Sequence, residues 1–200
     1  MTQYINLLIE DDLHLNVINK LLQGFSSTLA VGKVFGRRGK SFIKQNLKAY
    51  NQAAQFSPYL VLVDLDRTEC PPTLLHDWLS FQKSNNLIFR VAVREAEAWL
   101  ISDRDNLASF LGVSKNIIAP EPEKLPDPKE YIIALARRSR KRRIREDLIP
   151  QGQATVGRNY NTCLAEFIFS KWDVKKAMKH SESLAGLMRA LGILSGRHGQ

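Results

Sequence analysis

"PYLVLVDLDRTECPP" (residues 58–72) decides the fold. Its first half, Tyr59 to Val63, is an unbroken apolar run of the length and β-branched content that fills a strand buried on both faces. The run stops at Asp64, Asp66 follows two places on, and Pro71-Pro72 can open a helix. A strand that ends in acids and passes into a helix is the repeating unit of a parallel α/β sheet.

The same unit recurs on either side. "QYINLLIEDD" (3–12) is an apolar strand followed by Glu10, Asp11 and Asp12. After it, Leu13, Val17, Leu21 and Leu22 stand at helical spacing, with Gly24 as the stop. "STLAVGKVFG" (27–36) is a second strand, and the turn "GRRGK" (36–40) leads into a helix over 41–53. A helix over 73–83 and a fourth strand, "NLIFRVAV" (86–93), complete the alternation. The expected class is therefore α/β, a mostly parallel four-stranded sheet flanked by helices.

Beyond residue 94 the pattern is helical. "EAEAWLISDRDNLASFLG" (95–112) predicts two helical pieces, with Asp103 a candidate cap for the second. "APEPEKLPDPKE" (119–130) holds Pro120, Pro122, Pro126 and Pro128 and predicts a linker or an extended loop, with Asp127-Pro128 as cap and first residue of the next helix. Leu164, Phe167, Ile168 and Trp172, then Leu184, Leu187, Met188 and Leu191, predict amphipathic helices with Asp173 and Ser181 as caps. The expected division is a core at 1–112, a Pro-rich linker at 113–127 and a helical C-terminal extension at 128–200.

The net charge of the 200-residue chain is +9. "ARRSRKRRIRED" (136–147) contributes Arg137, Arg138, Arg140, Lys141, Arg142, Arg143 and Arg145, and without those seven the balance falls to +2. A local run of this kind suits a polyanion such as nucleic acid. Arg37, Arg38 and Lys40, in a glycine-flanked turn at a helix start, form a second candidate phosphate contact. "GRRGKS" (36–41) is not a Walker A loop, because that motif would need glycine where Val34 stands. The two cysteines, Cys70 and Cys163, make no disulfide framework, no apolar run spans a bilayer, and the expectation is a cytoplasmic protein.

In a parallel α/β sheet, ligands bind beyond the carboxyl ends of the strands. Glu10 and its neighbours lie beyond the first strand, and Asp64 and Asp66 beyond the third. Alternation puts 64 and 66 on one face if the extended conformation persists. Two unit charges about 4 Å apart repel by roughly 4 kcal/mol at an effective dielectric of 20. A bound dication relieves that repulsion, as does a retained proton.

"LLIEDD" (7–12) followed by "VLVDLD" (61–66) resembles the TOPRIM domain of topoisomerases, primases and OLD-type nucleases, with its Glu after the first strand and Asp-x-Asp after the third. "EAEAWLISD" (95–103), "DPK" (127–129) and "SESL" (181–184) resemble a family of short, uncharacterised bacterial TOPRIM-like proteins over nearly the whole chain. The resemblance implies Mg²⁺ or Mn²⁺ held by Glu10, Asp64 and Asp66, a catalytic set completed by Glu97, and Asp11, Glu95 and Asp103 as secondary acids. It implies a nuclease acting on DNA or RNA, with an ABC- or AAA-class ATPase as partner in bacterial defence against phage. Two positions depart from the pattern: Asp11 stands where glycine is usual, and His14 where many relatives carry an acid.

Two other readings stand beside it. One is a non-catalytic nucleic-acid-binding or regulatory module with a degenerate pocket, which Asp11 favours. The other is a receiver-like phosphoacceptor with Asp11, Asp12 and Asp64, against which stand the missing Ser or Thr after strand four and the missing Lys-Pro pair. Trp99 is expected in the core. Lys40 and Lys129 are within reach of catalytic roles, and no nucleophile stands out.

Overall fold

The computed structural model describes residues 2–196. The chain divides into two compact units, one formed by 1–93 with 185–200 and the other by 94–184.

In the first unit four strands alternate with three helices: β1 (Gln3–Ile9), α1 (Asp12–Leu22), β2 (Leu29–Gly36), α2 (Gly39–Ala53), β3 (Tyr59–Asp64), α3 (Pro71–Trp78) and β4 (Leu87–Ala92). The sheet order is β2-β1-β3-β4, and every neighbouring pair is parallel. All six residues of β3 are buried, as the apolar run predicts. Tyr59, Val61 and Val63 pack into one cluster with Ile43 and Leu47 of α2 and Leu74 and Trp78 of α3. Leu60, Leu62 and Asp64 have the opposite parity and face the other side. Connections from β1 to β2 and from β2 to β3 run in opposite directions across the sheet. Right-handed crossovers therefore put α1 and α2 on opposite faces.

The turn after β2 is built on glycine. Gly36 has φ +94°, and a Cβ there would meet the Ile9 carbonyl oxygen at 2.2 Å. Arg37 follows at φ +58°, and its N–H donates to that same carbonyl at 2.9 Å. The loop is thereby pressed onto the end of β1.

The second unit contains α4 (Glu97–Ser102), α5 (Arg104–Leu111), α6 (Pro128–Arg137), α7 (Arg142–Leu148), α8 (Tyr160–Ser170) and α9 (Val174–Ala177). The last helix, α10 (Glu182–Gly196), begins in this unit and from Ala185 belongs to the first. There the Thr28 hydroxyl lies 2.6 Å from that of Ser195. Asp127 caps α6 through the Glu130 N–H at 2.8 Å, and Asp173 caps α9 through the Lys176 N–H at 3.1 Å. The Ser181 hydroxyl accepts from the Leu184 N–H at 3.2 Å.

Several features differ from the reading of the sequence: α3 ends at Trp78 rather than reaching residue 83, and Asp103 makes no side-chain cap bond to α5. The division falls at 93/94, where β4 has ended, and α4 and α5 go with the second unit rather than with the sheet. Segment 113–127 is also fastened rather than a free linker. It makes two 3-10 turns, Lys115–Ile117 and Pro122–Lys124, and buries Ile118 and Pro122. The Tyr131 hydroxyl donates to the Ile117 carbonyl at 2.8 Å and accepts from the Ala119 N–H at 2.9 Å. Proline removes backbone donors, but it leaves carbonyls and apolar neighbours able to dock.

Candidate acidic site at the strand ends

In the 2-1-3-4 order the direction of winding reverses between β1 and β3, and a ligand crevice is expected at their carboxyl ends. Glu10 and Asp64 meet there. The Glu10 carboxylate accepts from the Asp64 backbone N–H at 2.7 Å. Burial lifts Glu10 first and the Asp64 charge adds to it, so its pKa rises from 4.5 to about 7 despite opposing help from His14 and that N–H.

His14, noted in the sequence only as a departure from the TOPRIM pattern, is a partner of the site. It lies on the buried face of α1 with Val17, Ile18 and Leu21, and is itself fully buried. Asp64, on the α1 side of the sheet, meets it: Nε2 lies 3.0 Å from Asp64 Oδ1. Burial pulls the imidazole pKa down, but the Asp64 charge and hydrogen bond, with Asp11 and Glu10 behind them, outweigh that and raise it from 6.5 to about 9. On the other nitrogen the Glu10 N–H makes only a long contact, 3.4 Å to Nδ1, which protonation gives up. The available signal was position: a histidine on an apolar helix face, four residues after a strand-end acid.

Asp66 is placed differently from expectation. β3 ends at Asp64, and Asp66 has φ +52°, so the strand alternation does not carry through to it. It is instead held by Lys40, whose Nζ donates to Asp66 Oδ2 at 2.8 Å and to the Asp64 and Leu65 carbonyls at 2.6 and 3.3 Å. Lys40, expected to face phosphate, thus holds the strand-end acid loop. Asp11 is a helix cap, accepting from the His14 N–H at 3.0 Å. Asp12 pairs with Arg37 at the surface, and the Arg38 guanidinium lies over the Phe42 ring.

The remaining acids belong to the second unit. Glu97 is buried at 2% exposure, accepts from the Tyr160 hydroxyl at 3.2 Å and lies 3.7 Å from Lys129 Nζ. Burial first, then the Glu97 charge, raises the Tyr160 pKa well above its ordinary value and keeps the phenol a donor. Glu95 accepts from the Lys129 N–H at 2.8 Å, at the start of α6. Asp103 is also buried and accepts from the Asn106 side chain and the Asp173 N–H, each at 2.7 Å. Trp99 is core, fully buried with its indole N–H on the Ser183 hydroxyl.

The basic run is ordered, and most of it serves the fold. Arg137 pairs with Glu130, Arg142 with Glu146, and Arg143 with Asp147 and Glu166. Lys141 donates to the Ser109 and Phe110 carbonyls at the end of α5, and Arg145 to the Ser139 carbonyl. Arg138 and Arg140 are exposed and make no ion pair among the described residues.

Among the described residues no three His, Cys, Asp or Glu side chains form a ready-made metal group. The donors at the strand ends are nonetheless hard carboxylate oxygens of the type Mg²⁺ and Mn²⁺ select. Of these three donors Glu10 carries a lifted pKa that added positive charge would lower, Asp64 is engaged by His14 and Asp66 by Lys40. Comparison with protein-family models, curated proteins and solved structures returned no match.

Proposed function

We propose that the strand-end acids of the first unit serve metal-dependent hydrolysis of a nucleic-acid phosphodiester. The observation that carries this reading is the Glu10–Asp64 contact, in which the Glu10 carboxylate accepts the backbone N–H of an acid 54 positions away at the β1/β3 switch point. Glu10, Asp64 and Asp66 would hold Mg²⁺ or Mn²⁺, which when bound polarises a phosphoryl oxygen and lowers the pKa of a water. His14 fixes the orientation of Asp64. Lys40 fixes the loop that carries Asp66. The resemblance to TOPRIM-like proteins supports this assignment, and with it an ATPase partner in phage defence.

A non-catalytic module is the second reading. It is favoured by His14 and Lys40, which already counter Asp64 and Asp66 without a metal. Purified protein and an Asp64→Ala/Asp66→Ala variant, each incubated with plasmid, single-stranded DNA and RNA in Mg²⁺ or Mn²⁺, separate the two. Cleavage by the wild type alone is the expected result. Equal inertness of both proteins with nucleic-acid binding intact, even with a cognate ATPase added, would leave the module.

A further inference from the structure

β4 is an edge strand, and its bonds to β3 show which way its backbone points. The Tyr59 N–H donates to the Asn86 carbonyl at 3.0 Å, and the Leu65 N–H to the Ala92 carbonyl at 2.8 Å. Carbonyls alternate along a strand, so those of even number face β3 and the backbone groups of Leu87 and Phe89 face outward. The β3–β4 register runs unbroken from Tyr59–Leu87 to Asp64–Ala92. The opposite edge, β2, is interrupted by a register shift at Ile5/Leu7, of the kind that spoils pairing with a further strand. β4 has no such interruption.

The outward side of β4 opens on a cavity of about 170 Å³, lined by Leu87, Ile88, Phe89 and Arg90 together with Ile193 and Leu194 of α10. Ile193 is 61% exposed. A regular edge beside exposed apolar surface is a template for strand addition, and one edge can pair with its own copy, antiparallel, about a two-fold axis.

Two cations already occupy that edge. Lys83 Nζ donates to the Leu87 carbonyl at 2.8 Å and to the Ser84 carbonyl at 2.9 Å, and Arg90 Nη1 donates to the Phe89 carbonyl at 3.0 Å. The Leu87 N–H is turned back to the Ser84 carbonyl at 3.1 Å, which leaves the Phe89 N–H facing out. Arg90 is held there at a cost: its Nε is buried with no hydrogen-bond partner among the described residues, and burial, then the Arg189 charge, lowers its pKa. A second copy joined at this edge would also bring like charges together. We infer that Lys83 and Arg90 close the β4 edge against a second copy of this chain, by filling its outward carbonyls and by setting like charges across the junction. The device lies apart from the strand-end acids and requires none of them.

Sedimentation equilibrium of the full chain and of Lys83→Met/Arg90→Met tests this, with Lys48→Met/Lys171→Met as a control that removes the same charge at exposed positions. The edge variant should self-associate at least about tenfold more tightly than wild type and control. Amide hydrogen exchange places the junction: the Phe89 N–H should exchange freely in the wild type and become protected, by about tenfold or more, as the edge variant associates. Association no tighter than the control's, or association that leaves the Phe89 amide unprotected, would overturn the proposal, as would a Phe89 amide already protected in an associated wild type. Lys83 is exposed, so Lys83→Met alone, expected to associate more tightly than wild type, decides the matter if the double variant does not fold.

Discussion

Glu10 reaches from the end of β1 to accept the backbone N–H of Asp64 at 2.7 Å, while the Asp64 side chain turns to His14 at 3.0 Å. One hydrogen bond thus ties the two central strands at their carboxyl ends, and a second ties β3 to α1. The Glu10 carboxylate is thereby held on the backbone of Asp64, whose own carboxylate has the His14 imidazole against it.

That arrangement makes His14 and Asp64 interdependent. Removing one partner of a buried ion pair leaves an uncompensated charge, at a cost of about 3–5 kcal/mol. His14→Ala should lose stability in this range by urea denaturation. The His14→Ala/Asp64→Ala double variant should lose about 1–3 kcal/mol less than the sum of the single losses. Strict additivity would mean the pair is not coupled.

Stability should fall as pH rises. Folding raises Glu10 from 4.5 to about 7, so between those values the folded chain holds a proton that the unfolded chain has released. Its contribution is complete below 4.5 and lost as pH passes 7. His14, raised from 6.5 to about 9, adds a contribution complete below 6.5 and lost through 9. Glu10→Gln should flatten the first part of the decline, roughly 3 kcal/mol at most, and His14→Gln the second. Melting temperatures from pH 4 to 9 read both, and a flat wild-type profile would contradict the assignment.

The backbone at Asp66 gives a separate handle. At φ +52° a residue with a Cβ is strained by about 1 kcal/mol relative to glycine. Asp66→Gly and Asp66→Ala both lose the Lys40 contact, yet the glycine variant should be the more stable by about that amount. Lys40→Met should cost about 1.5–3 kcal/mol, because it removes a charged donor from two carbonyls and a carboxylate.

Metal loading should be visible without any substrate. An ion held by Glu10, Asp64 and Asp66 stabilises the folded state by about 2.7 kcal/mol at 100 times its Kd. Mn²⁺ should raise the melting temperature of the wild type, and EDTA should reverse the gain. Asp64→Ala/Asp66→Ala should not respond, and an equal response from that variant would place the ion elsewhere.

The folded state of the basic run bears on nucleic-acid binding. Were all seven cations to meet duplex phosphates, log affinity would fall against log salt with a slope of roughly −6. Arg137, Arg142 and Arg143 already neutralise acids of this chain, and Lys141 and Arg145 hold carbonyls. Arg138 and Arg140 are left to carry the contact. The expected slope is shallower, and Arg138→Ala/Arg140→Ala should reduce it by about 2. An unchanged slope would exclude these two from the interface.

The order of strands and helices was legible in the amino-acid sequence because burial writes itself into local periodicity. The short apolar run Tyr59 to Val63, ended by acids, reads as a strand covered on both faces, and Asp127-Pro128 and Asp173 mark helix starts by short-range hydrogen bonding. That Glu10 and Asp64 stand at strand ends followed from the same local signal. Their contact did not, because it depends on β1 and β3 being neighbours, and strand order is a long-range packing choice. The partners His14 and Lys40, the turn of Asp66 out of the strand alternation and the internal use of the arginines were likewise decided by tertiary structure. A charge pairs with whatever counter-charge folding brings near it, and that distance is set in space rather than along the chain.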